Sequence, residues 1–293
     1  FSDVAADHWA NGYINIATSL KLIEGDGDGK FRPNDTITYA EAMAIMIRAT
    51  GYTIAANDKG GYPNGYMAVG TSNGFANNVK CGQSEKISRG NVAYLTSNAL
   101  EVKLMEQKGF GTNSSYEITE KTLLKDNLKV TKEEGQITAV EKASLAGSSS
   151  LNKGQVTLGS TTYDTQLNMS NLLGYNVTGY IKEASVGNDE LILALPIANK
   201  NTSVKIDSEA FSKLTEKNGN NAIVYFTDTN NSKTATVELA KEPIMIYNGK
   251  YEKFDLKQLD MSDENGHLTL LDADKDGKYE IVFVTKYDNI VVE

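Results

Sequence analysis

Carboxylates at alternate positions mark the segment of this chain best suited to bind a metal ion. The segment runs Asp272-Ala-Asp274-Lys-Asp276-Gly277-Lys278 and leads directly into an apolar stretch. Alternate aspartates in a tight loop turn their oxygens inward, the glycine permits the turn, and the backbone carbonyl of Lys278 can add a ligand. Such an all-oxygen site suits a hard cation, and the sequence therefore predicts a structural calcium ion here.

Two comparisons with known calcium loops refine this prediction. An EF-hand would need a glutamate at the twelfth position of the loop, where this chain has Phe283. The segment instead resembles the calcium loops that join strands in repeat-rich extracellular proteins, in which an acidic ninth residue completes the site. The resemblance implies that Glu280 has this role. The alternative is a solvated acidic hairpin, whose close carboxylates would repel one another unless a cation lies among them.

The pattern of apolar and polar residues changes near Met105, and the β-rich region that contains this loop follows. The stretch 108–115 has the small, polar composition of a linker, and alternation of apolar and polar residues begins after it. Short alternating segments separated by Gly, Ser and Asn predict small antiparallel domains, each a barrel or a sandwich. We expect one helical turn at 169–173 and one short helix at 207–214.

The N-terminal part has helical periodicity and turns. Apolar residues recur at helical spacing from Trp9 to Leu20, with Asp7 as a predicted N-cap and Trp9 expected in the core. The glycine-rich stretch 25–29 predicts a tight turn. It holds two carboxylates without a third at suitable spacing, so it is not predicted to bind a metal. Thr38 and Glu41 form a capping-box pattern that predicts a second helix over 38–50.

A weaker copy of this plan follows about 50 residues later. Residues 61–66 align with 8–13, and Ser88 opens another predicted helix through Leu95 and Val102. Self-similarity at a fixed period indicates a repeat architecture. The order Phe1-Ser-Asp-Val, then His8-Trp-Ala, the glycine-rich turn and Ile37-Thr-Tyr-Ala-Glu resembles the surface-layer homology (SLH) repeat of bacterial envelope proteins.

This resemblance implies a function and a set of contacts. SLH repeats usually occur as three copies that bind a secondary cell-wall polysaccharide, and an arginine of the helix-start motif contacts its acidic groups. That position is Tyr39 in the first copy and Arg89 in the second. The resemblance therefore implies carbohydrate-binding roles for Asp3, Trp9 and Arg89. The alternative is structural: Asp3 as a turn or cap, Trp9 in the core and Arg89 as a solvated helix start.

Composition and the absence of certain motifs limit the kinds of partner and activity that the sequence predicts. A net charge of −9 argues against nucleic acid as a partner. No run approaches the ~20 apolar residues of a membrane-spanning helix, so membrane insertion is not predicted. A single cysteine, Cys81, excludes an internal disulfide framework. His8 and His267 have no serine or cysteine partner in a recognisable motif, so no enzyme activity is predicted. The repeat motif begins at Phe1, which is not an initiator methionine, and the last residues resemble a strand, so we expect the chain to be a fragment or processed form.

Together these features predict an α+β multidomain chain. The expected segments are SLH-type repeats at 1–52 and 53–108, the second degenerate, and β-rich domains at 116–199 and 200–293. The predicted function is that of an extracellular bacterial structural protein, anchored to the cell wall by the repeats, whose β domains assemble with copies of themselves into a surface layer or filament. The alternative is a non-catalytic anchor and spacer portion of a larger surface enzyme or adhesin.

Overall fold

A computed structural model describes residues 1–25, 27–109 and 115–287. The chain forms two compact units, 1–129 and 130–293. The first is helical apart from one β-hairpin, and the second is almost entirely β-sheet. This is the α+β layout expected from the sequence. The finer division into four segments stays a prediction.

The described residues of the first unit include five α-helices. They are α1 (Asn11–Ser19), α2 (Tyr39–Ala49), α3 (Thr53–Asp58), α4 (Asn64–Ser72) and α5 (Arg89–Glu101). The predicted capping box is present: Thr38 Oγ1 accepts from the Glu41 backbone N–H, and the Glu41 carboxylate accepts from Thr38 N at 2.7 Å. Ser88 is the N-cap of α5. Both predictions of helix starts are therefore confirmed.

The first helix differs from expectation in its start and its packing. It begins at Asn11 with Ala10 as N-cap, so Asp7 does not cap it and Trp9 precedes it. Trp9 is 82% exposed, and Tyr13, Ile16 and Leu20 are exposed as well. The expectation that Trp9 packs in the core was wrong. Ile14 is the one buried residue of α1, because no element in the described part of the chain covers the opposite, apolar face.

The segment predicted as a linker connects the strands of a hairpin. Strands β1 (Lys103–Lys108) and β2 (Ser115–Thr122) pair antiparallel, and residues 110–114 between them lie outside the described residues. A single π-helical turn (Leu123–Asn127) follows. The core of this unit is centred on α2, whose Met43 and Ile47 are completely buried.

The second unit begins with a closed barrel. Its strands are β3 (Val130–Val140), β4 (Ala143–Ser144), β5 (Gln155–Leu158), β6 (Thr161–Asp164), β7 (Asn176–Lys182) and β8 (Glu190–Pro196). The order is β4-β3-β5-β6-β8-β7, and the additional pairing of β3 with β7 closes the sheet. The predicted helical turn is present as a 3-10 turn at Ser170–Leu172. The barrel alternative of the fold prediction therefore holds for this part, but the short β6–β8 pairing is parallel, whereas an antiparallel barrel was predicted.

A seven-stranded sheet follows. Its strands are β9 (Thr202–Asp207), β10 (Phe211–Lys217), β11 (Asn220–Phe226), β12 (Thr234–Tyr247), β13 (Lys250–Glu252), β14 (Gly266–Asp272) and β15 (Lys278–Lys286). The order is β10-β11-β12-β15-β14-β9, with β13 beside β12. The outermost strands β9 and β10 are joined by only three residues, so the sheet must curl until its two edges approach one another. The β12–β15 pair is parallel, which the prediction of antiparallel domains did not include.

The helix predicted at 207–214 is not present. Only Ser208–Ala210 forms a 3-10 turn, and Phe211 already begins β10. Phe211 is buried and β10 pairs along its length with β11. Pairing and burial therefore override the local helical pattern.

Strand β15 lies at the centre of the second unit. Its Ile281 and Phe283 pack in a core with the barrel residues, whereas Val282 and Val284 pack in a separate core on the other face of the sheet. A strand whose two faces are both buried has a nearly continuous apolar sequence, and β15 has one at residues 281–284. The acidic loop leads directly into β15, so its second end is held by a buried strand.

Candidate functional site

The acidic segment forms the tight loop between β14 and β15. Asp272 is the last residue of β14 and Lys278 the first of β15. Lys275 and Gly277 have φ values of 66° and 86°, in the left-handed region. This conformation suits glycine, so Gly277 has the role that the sequence assigned to it.

Backbone hydrogen bonds hold the aspartates in place. Asp272 is buried, and its Oδ1 and Oδ2 accept from the backbone N–H groups of Lys275 and Gly277 at 2.6 and 3.2 Å. Asp274 Oδ1 accepts from Asp276 N at 3.1 Å, and Asp276 Oδ1 accepts from Lys278 N at 2.8 Å. The three carboxylates are thus fixed by the loop itself.

One cation could contact all three aspartates. Asp272, Asp274 and Asp276 each offer a carboxylate oxygen, and the three oxygens lie within 4.8 Å of one another. Asp274 and Asp276 are exposed, so the cluster opens to solvent on one side. Negative charges held this close repel one another, and a divalent cation would remove the repulsion. The donor set of hard oxygens fits calcium.

Glu280 lies next to this cluster but is not one of the three grouped residues. Its Oε1 accepts from Ala273 N at 2.7 Å, while its Oε2 is buried without a hydrogen-bond partner among the described residues. Burial raises the pKa of Glu280, and the charges of Asp274 and Asp272 add to this effect. A buried carboxylate oxygen without a donor is costly, and a cation is one group that would satisfy it. The ligand roles of Glu280 and of the Lys278 carbonyl stay predictions.

The three residues predicted to contact carbohydrate differ in their hydrogen bonds and surroundings. Both Asp3 carboxylate oxygens accept backbone N–H groups, from Phe31 at 2.9 Å and Arg32 at 2.7 Å, which lowers the pKa of Asp3. Asp3 therefore closes the glycine-rich turn. Trp9 presents its ring to solvent beside His8, at 5.9 Å between ring centroids. Arg89 is the exposed first residue of α5 and makes no ion pair within the described residues.

The glycine-rich stretch 25–29 makes the predicted turn in its described part. Gly25, Gly27 and Gly29 all have positive φ. Asp28 Oδ1 accepts from Lys30 N at 3.0 Å, and its carboxylate pairs with the Lys30 ammonium at 3.7 Å. Asp26 lies outside the described residues. The turn is therefore held by local contacts.

A groove of about 700 Å³ in the first unit contains residues that the sequence analysis did not select. Thr38 and Arg48 line it from the first copy and Tyr62 from the second, whereas Asp3, Trp9 and Arg89 do not. Arg48 donates to the Leu22 carbonyl at 3.1 Å and to Glu24 at 2.9 Å. Arg48 lies outside the helix-start motif that carried the resemblance, so the motif could not reveal it.

Comparisons with known proteins agree with the repeat pattern. The S-layer homology domain family matches residues 1–43. The chain is 36% identical over 131 residues to the middle cell wall protein of Brevibacillus brevis and 33% identical over 131 residues to a surface layer protein of Brevibacillus choshinensis, each match covering 45% of this chain. It is 37% identical over 106 residues, 36% of its length, to a cell surface protein of Thermoanaerobacter kivui.

These matches are partial. They cover 12% of each Brevibacillus protein and 13% of the Thermoanaerobacter protein, so the chain spans a small share of its curated relatives. No solved structure matches the chain. Across the described residues, no helix is both long and apolar enough to span a bilayer. The S-layer homology match at residues 1–43 and the relatives named as cell-wall and surface proteins indicate an extracellular, cell-wall-associated location.

Proposed function

We propose that this chain is a non-enzymatic structural protein of the bacterial surface, held on the cell wall by its helical repeats. The observation that carries the proposal is the S-layer homology match at residues 1–43, together with relatives named as cell-wall and surface-layer proteins. The ligand in this proposal is a secondary cell-wall polysaccharide.

Two exposed side chains support polysaccharide binding. An exposed indole such as that of Trp9 offers an apolar face on which a sugar ring can pack. The guanidinium of Arg89 has no acidic partner within the described residues, so it is available to an acidic sugar substituent. The third predicted residue, Asp3, uses both oxygens to hold the turn and would act by positioning it.

Co-sedimentation of the purified chain with isolated bacterial walls tests this proposal. We expect the chain to pellet with walls and to remain soluble when the polysaccharide has been removed from them. Trp9→Ala and Arg89→Ala should each weaken the binding. Tyr116→Ala and Lys59→Ala, at exposed positions in the same unit, are the matched controls. Equal pelleting with intact and stripped walls would contradict the proposal.

For the β-rich unit we propose a calcium-stabilised architecture that assembles with copies of itself into a layer or filament. The buried Asp272 and the partnerless Glu280 oxygen support an ion that fastens the β14–β15 loop. Electron microscopy with calcium and with chelator tests the assembly. Ordered lattices or filaments that disappear on chelation are the expected result, and dispersed particles in both conditions would contradict it.

The second candidate is an anchor and spacer within a larger surface enzyme or adhesin. It is favoured by the small share, 12 to 13%, of the relatives' length that the chain covers. The two candidates differ in one observable property, because a spacer binds walls without forming an ordered assembly. Wall binding combined with dispersed particles would therefore favour this second candidate.

A further inference from the structure

The barrel of the second unit is a Greek key. Apart from the two-residue β4, its first four strands lie in the order β7-β3-β5-β6, so the fourth strand returns to lie beside the first. Strand β8 lies between β6 and β7 and completes the circle. Five-stranded Greek-key barrels of the OB-fold bind oligonucleotides or oligosaccharides at their second and third strands and at the loops that follow the first and fourth. A fold indicates only the place of a site, so the residues there must supply its chemistry.

A groove of about 400 Å³ lies at the corresponding end of this barrel. It is lined by residues 140–142, 153–155 and 165–170. The strand register brings these segments together, because Gln155 at the start of β5 pairs with Asp164 at the end of β6. Asp164 also pairs with Glu190, the first residue of β8. The volume of the groove is within the range of roughly 300–1,000 Å³ that small-molecule sites have.

Buried hydrogen bonds join the two sides of the groove. Thr165 is buried, and its backbone N–H donates to the Gly154 carbonyl at 2.8 Å. The Thr165 hydroxyl donates to the Leu191 carbonyl of β8 at 2.9 Å. Met169 is buried as well. The groove is therefore preformed, and a ligand would not have to order its walls.

The charges that line the groove are positive on balance. Two lysines, Lys142 and Lys153, and one acidic residue, Glu141, are among the lining residues, so the lining has a net charge of +1 in a chain of net charge −9. Two further acidic residues lie beside the groove without lining it, and both accept hydrogen bonds from amides of the lining. Asp164 accepts from Gln155 at 3.2 Å, and Glu190 accepts from Gln166 at 3.1 Å.

Several polar groups of the lining are open to a ligand. Lys142 and Lys153 are exposed, and within the described residues neither ammonium group has an ion pair or a hydrogen bond. Asn168 Oδ1 accepts from Ser170 N at 3.0 Å, which orients the amide and leaves its Nδ2 group without a partner in the described part of the chain. Leu167 is 44% exposed and adds an apolar surface. Amides and the Glu141 carboxylate can pair with sugar hydroxyl groups, whereas an ammonium group pairs best with an acidic substituent.

We propose that this groove binds an acidic oligosaccharide, which makes the barrel a second carbohydrate-binding part of the chain. An oligonucleotide is disfavoured, because single strands bind to such barrels by stacking their bases on aromatic side chains and no aromatic residue is among those that line the groove. The net charge of −9 also opposes a phosphate backbone. The site goes beyond the proposed wall anchoring, since none of its residues belongs to the helical repeats.

Nuclear magnetic resonance of the full chain, labelled at its methionine methyl groups, tests the proposal. Met169 lines the groove, whereas Met46 and Met67 pack in the core of the first unit, so the two units give separate signals. The probe is hexagalacturonate, which has a carboxylate on each sugar. We expect it to shift the Met169 signal in a saturable way. Cellohexaose, an uncharged oligosaccharide of equal length, and inorganic phosphate should leave that signal unchanged. Because Met46 and Met67 report on the repeats, failure of the wall-anchoring proposal would not affect this result.

Lysine substitutions connect the signal to the groove. Lys142→Gln and Lys153→Gln should each weaken the binding of hexagalacturonate about threefold, and the double variant about tenfold. The matched control is the double variant Lys213→Gln with Lys241→Gln, which removes two exposed positive charges elsewhere in the second unit and should bind like the wild type. All four lysines are exposed, so the variants should keep the wild-type unfolding midpoint.

Three results would overturn the proposal. The first is a Met169 signal that hexagalacturonate does not shift. The second is an equal shift with cellohexaose or with inorganic phosphate, because the groove would then select neither an acidic ligand nor an oligosaccharide. The third is equal affinity of the wild type and the double variant of Lys142 and Lys153, which would place the binding outside the groove.

Discussion

Ile87 donates its backbone N–H to the carbonyl oxygen of Ile37 at 3.1 Å, and these two residues hold equivalent places in successive repeats. Each directly precedes an N-cap, Thr38 in one case and Ser88 in the other. A backbone hydrogen bond between equivalent residues of the two repeats therefore joins the starts of α2 and α5. The residues that cap each helix thus also help to position one repeat against the other.

Removing the caps should destabilise the first unit to different extents. Loss of an N-cap hydroxyl costs about 1 kcal/mol, with a range of roughly 0.5–2 kcal/mol. Thr38→Ala should lie near the upper end, because Thr38 takes part in a reciprocal capping box with Glu41. Ser88→Ala should cost less, since Ser88 only accepts from Asn91 N. Urea unfolding followed by circular dichroism measures both, and equal costs would contradict the role given to the box.

Glycines at equivalent positions of α1 and α4 should respond in opposite directions to alanine. At Gly65 an added Cβ would lie 2.0 Å from the Ala56 carbonyl oxygen, whereas at Gly12 it would meet no atom within 4 Å. Forced overpacking typically costs roughly 1–3 kcal/mol. Alanine in an open helical position is favoured over glycine by up to about 1 kcal/mol. We expect Gly65→Ala to lower the free energy of unfolding and Gly12→Ala to raise it slightly. Thermal unfolding of the two variants checks this pair.

Local signals in the sequence were sufficient to predict several elements. The capping box of Thr38 and Glu41, the cap at Ser88 and the turn residue Gly277 each act through atoms a few residues away. The alternation after Met105 likewise predicted short strands in barrels or sandwiches, and the first of the two β-rich parts is a barrel. Predictions that rest on neighbouring residues were reliable here because the physical cause is equally local.

Features that depend on distant partners could not be predicted. Trp9 matches a helical apolar pattern in the sequence, but it precedes α1 and is exposed, and such a pattern does not reveal where the helix begins or whether another element covers it. The helical pattern near Asp207 is overridden at Phe211 by pairing with β11. The parallel β12–β15 pair follows from the order of strands in a curled sheet, which alternation within single strands does not encode.

A buried tyrosine should make the barrel sensitive to alkaline pH. Tyr163 is buried and donates to Glu133 Oε2 at 2.7 Å; burial, with Glu133, raises the pKa of Tyr163 from 10.0 to about 12. The unfolded chain therefore loses this proton at lower pH than the folded chain, and the free energy of unfolding should fall as the pH rises from 10.0 to about 12. Tyr163→Phe should reduce that slope and cost about 1 kcal/mol at neutral pH through the lost hydrogen bond.

Unfolding curves measured across this pH range check the prediction. Tyr116→Phe replaces an exposed tyrosine of β2 and is the matched control. Its slope should match that of the wild type. A slope in Tyr163→Phe as steep as the wild-type slope would show that other groups cause the alkaline loss of stability.

Calcium should stabilise the second unit through the loop between β14 and β15. A ligand that binds only the folded state adds about 2.7 kcal/mol when its concentration is a hundred times its Kd. Wild-type protein should therefore unfold at higher temperature in calcium than in chelator. Replacing both exposed aspartates, Asp274→Asn with Asp276→Asn, should abolish this difference and leave the stability in chelator unchanged or slightly higher, because repulsion within the loop is relieved.

Asp272 should be needed for the fold of the loop whether or not the loop binds a metal ion. Asp272 accepts two backbone N–H groups, and an asparagine offers only one acceptor oxygen. Asp272→Asn should therefore cost roughly 1–3 kcal/mol even in chelator, since a buried N–H is left unpaired. Glu216→Gln on β10 removes one charge away from the loop and is the control. If calcium fails to raise the unfolding temperature of the wild type, the loop is an acidic hairpin without a bound metal ion. The role of Asp272 is then limited to its hydrogen bonds with the loop backbone.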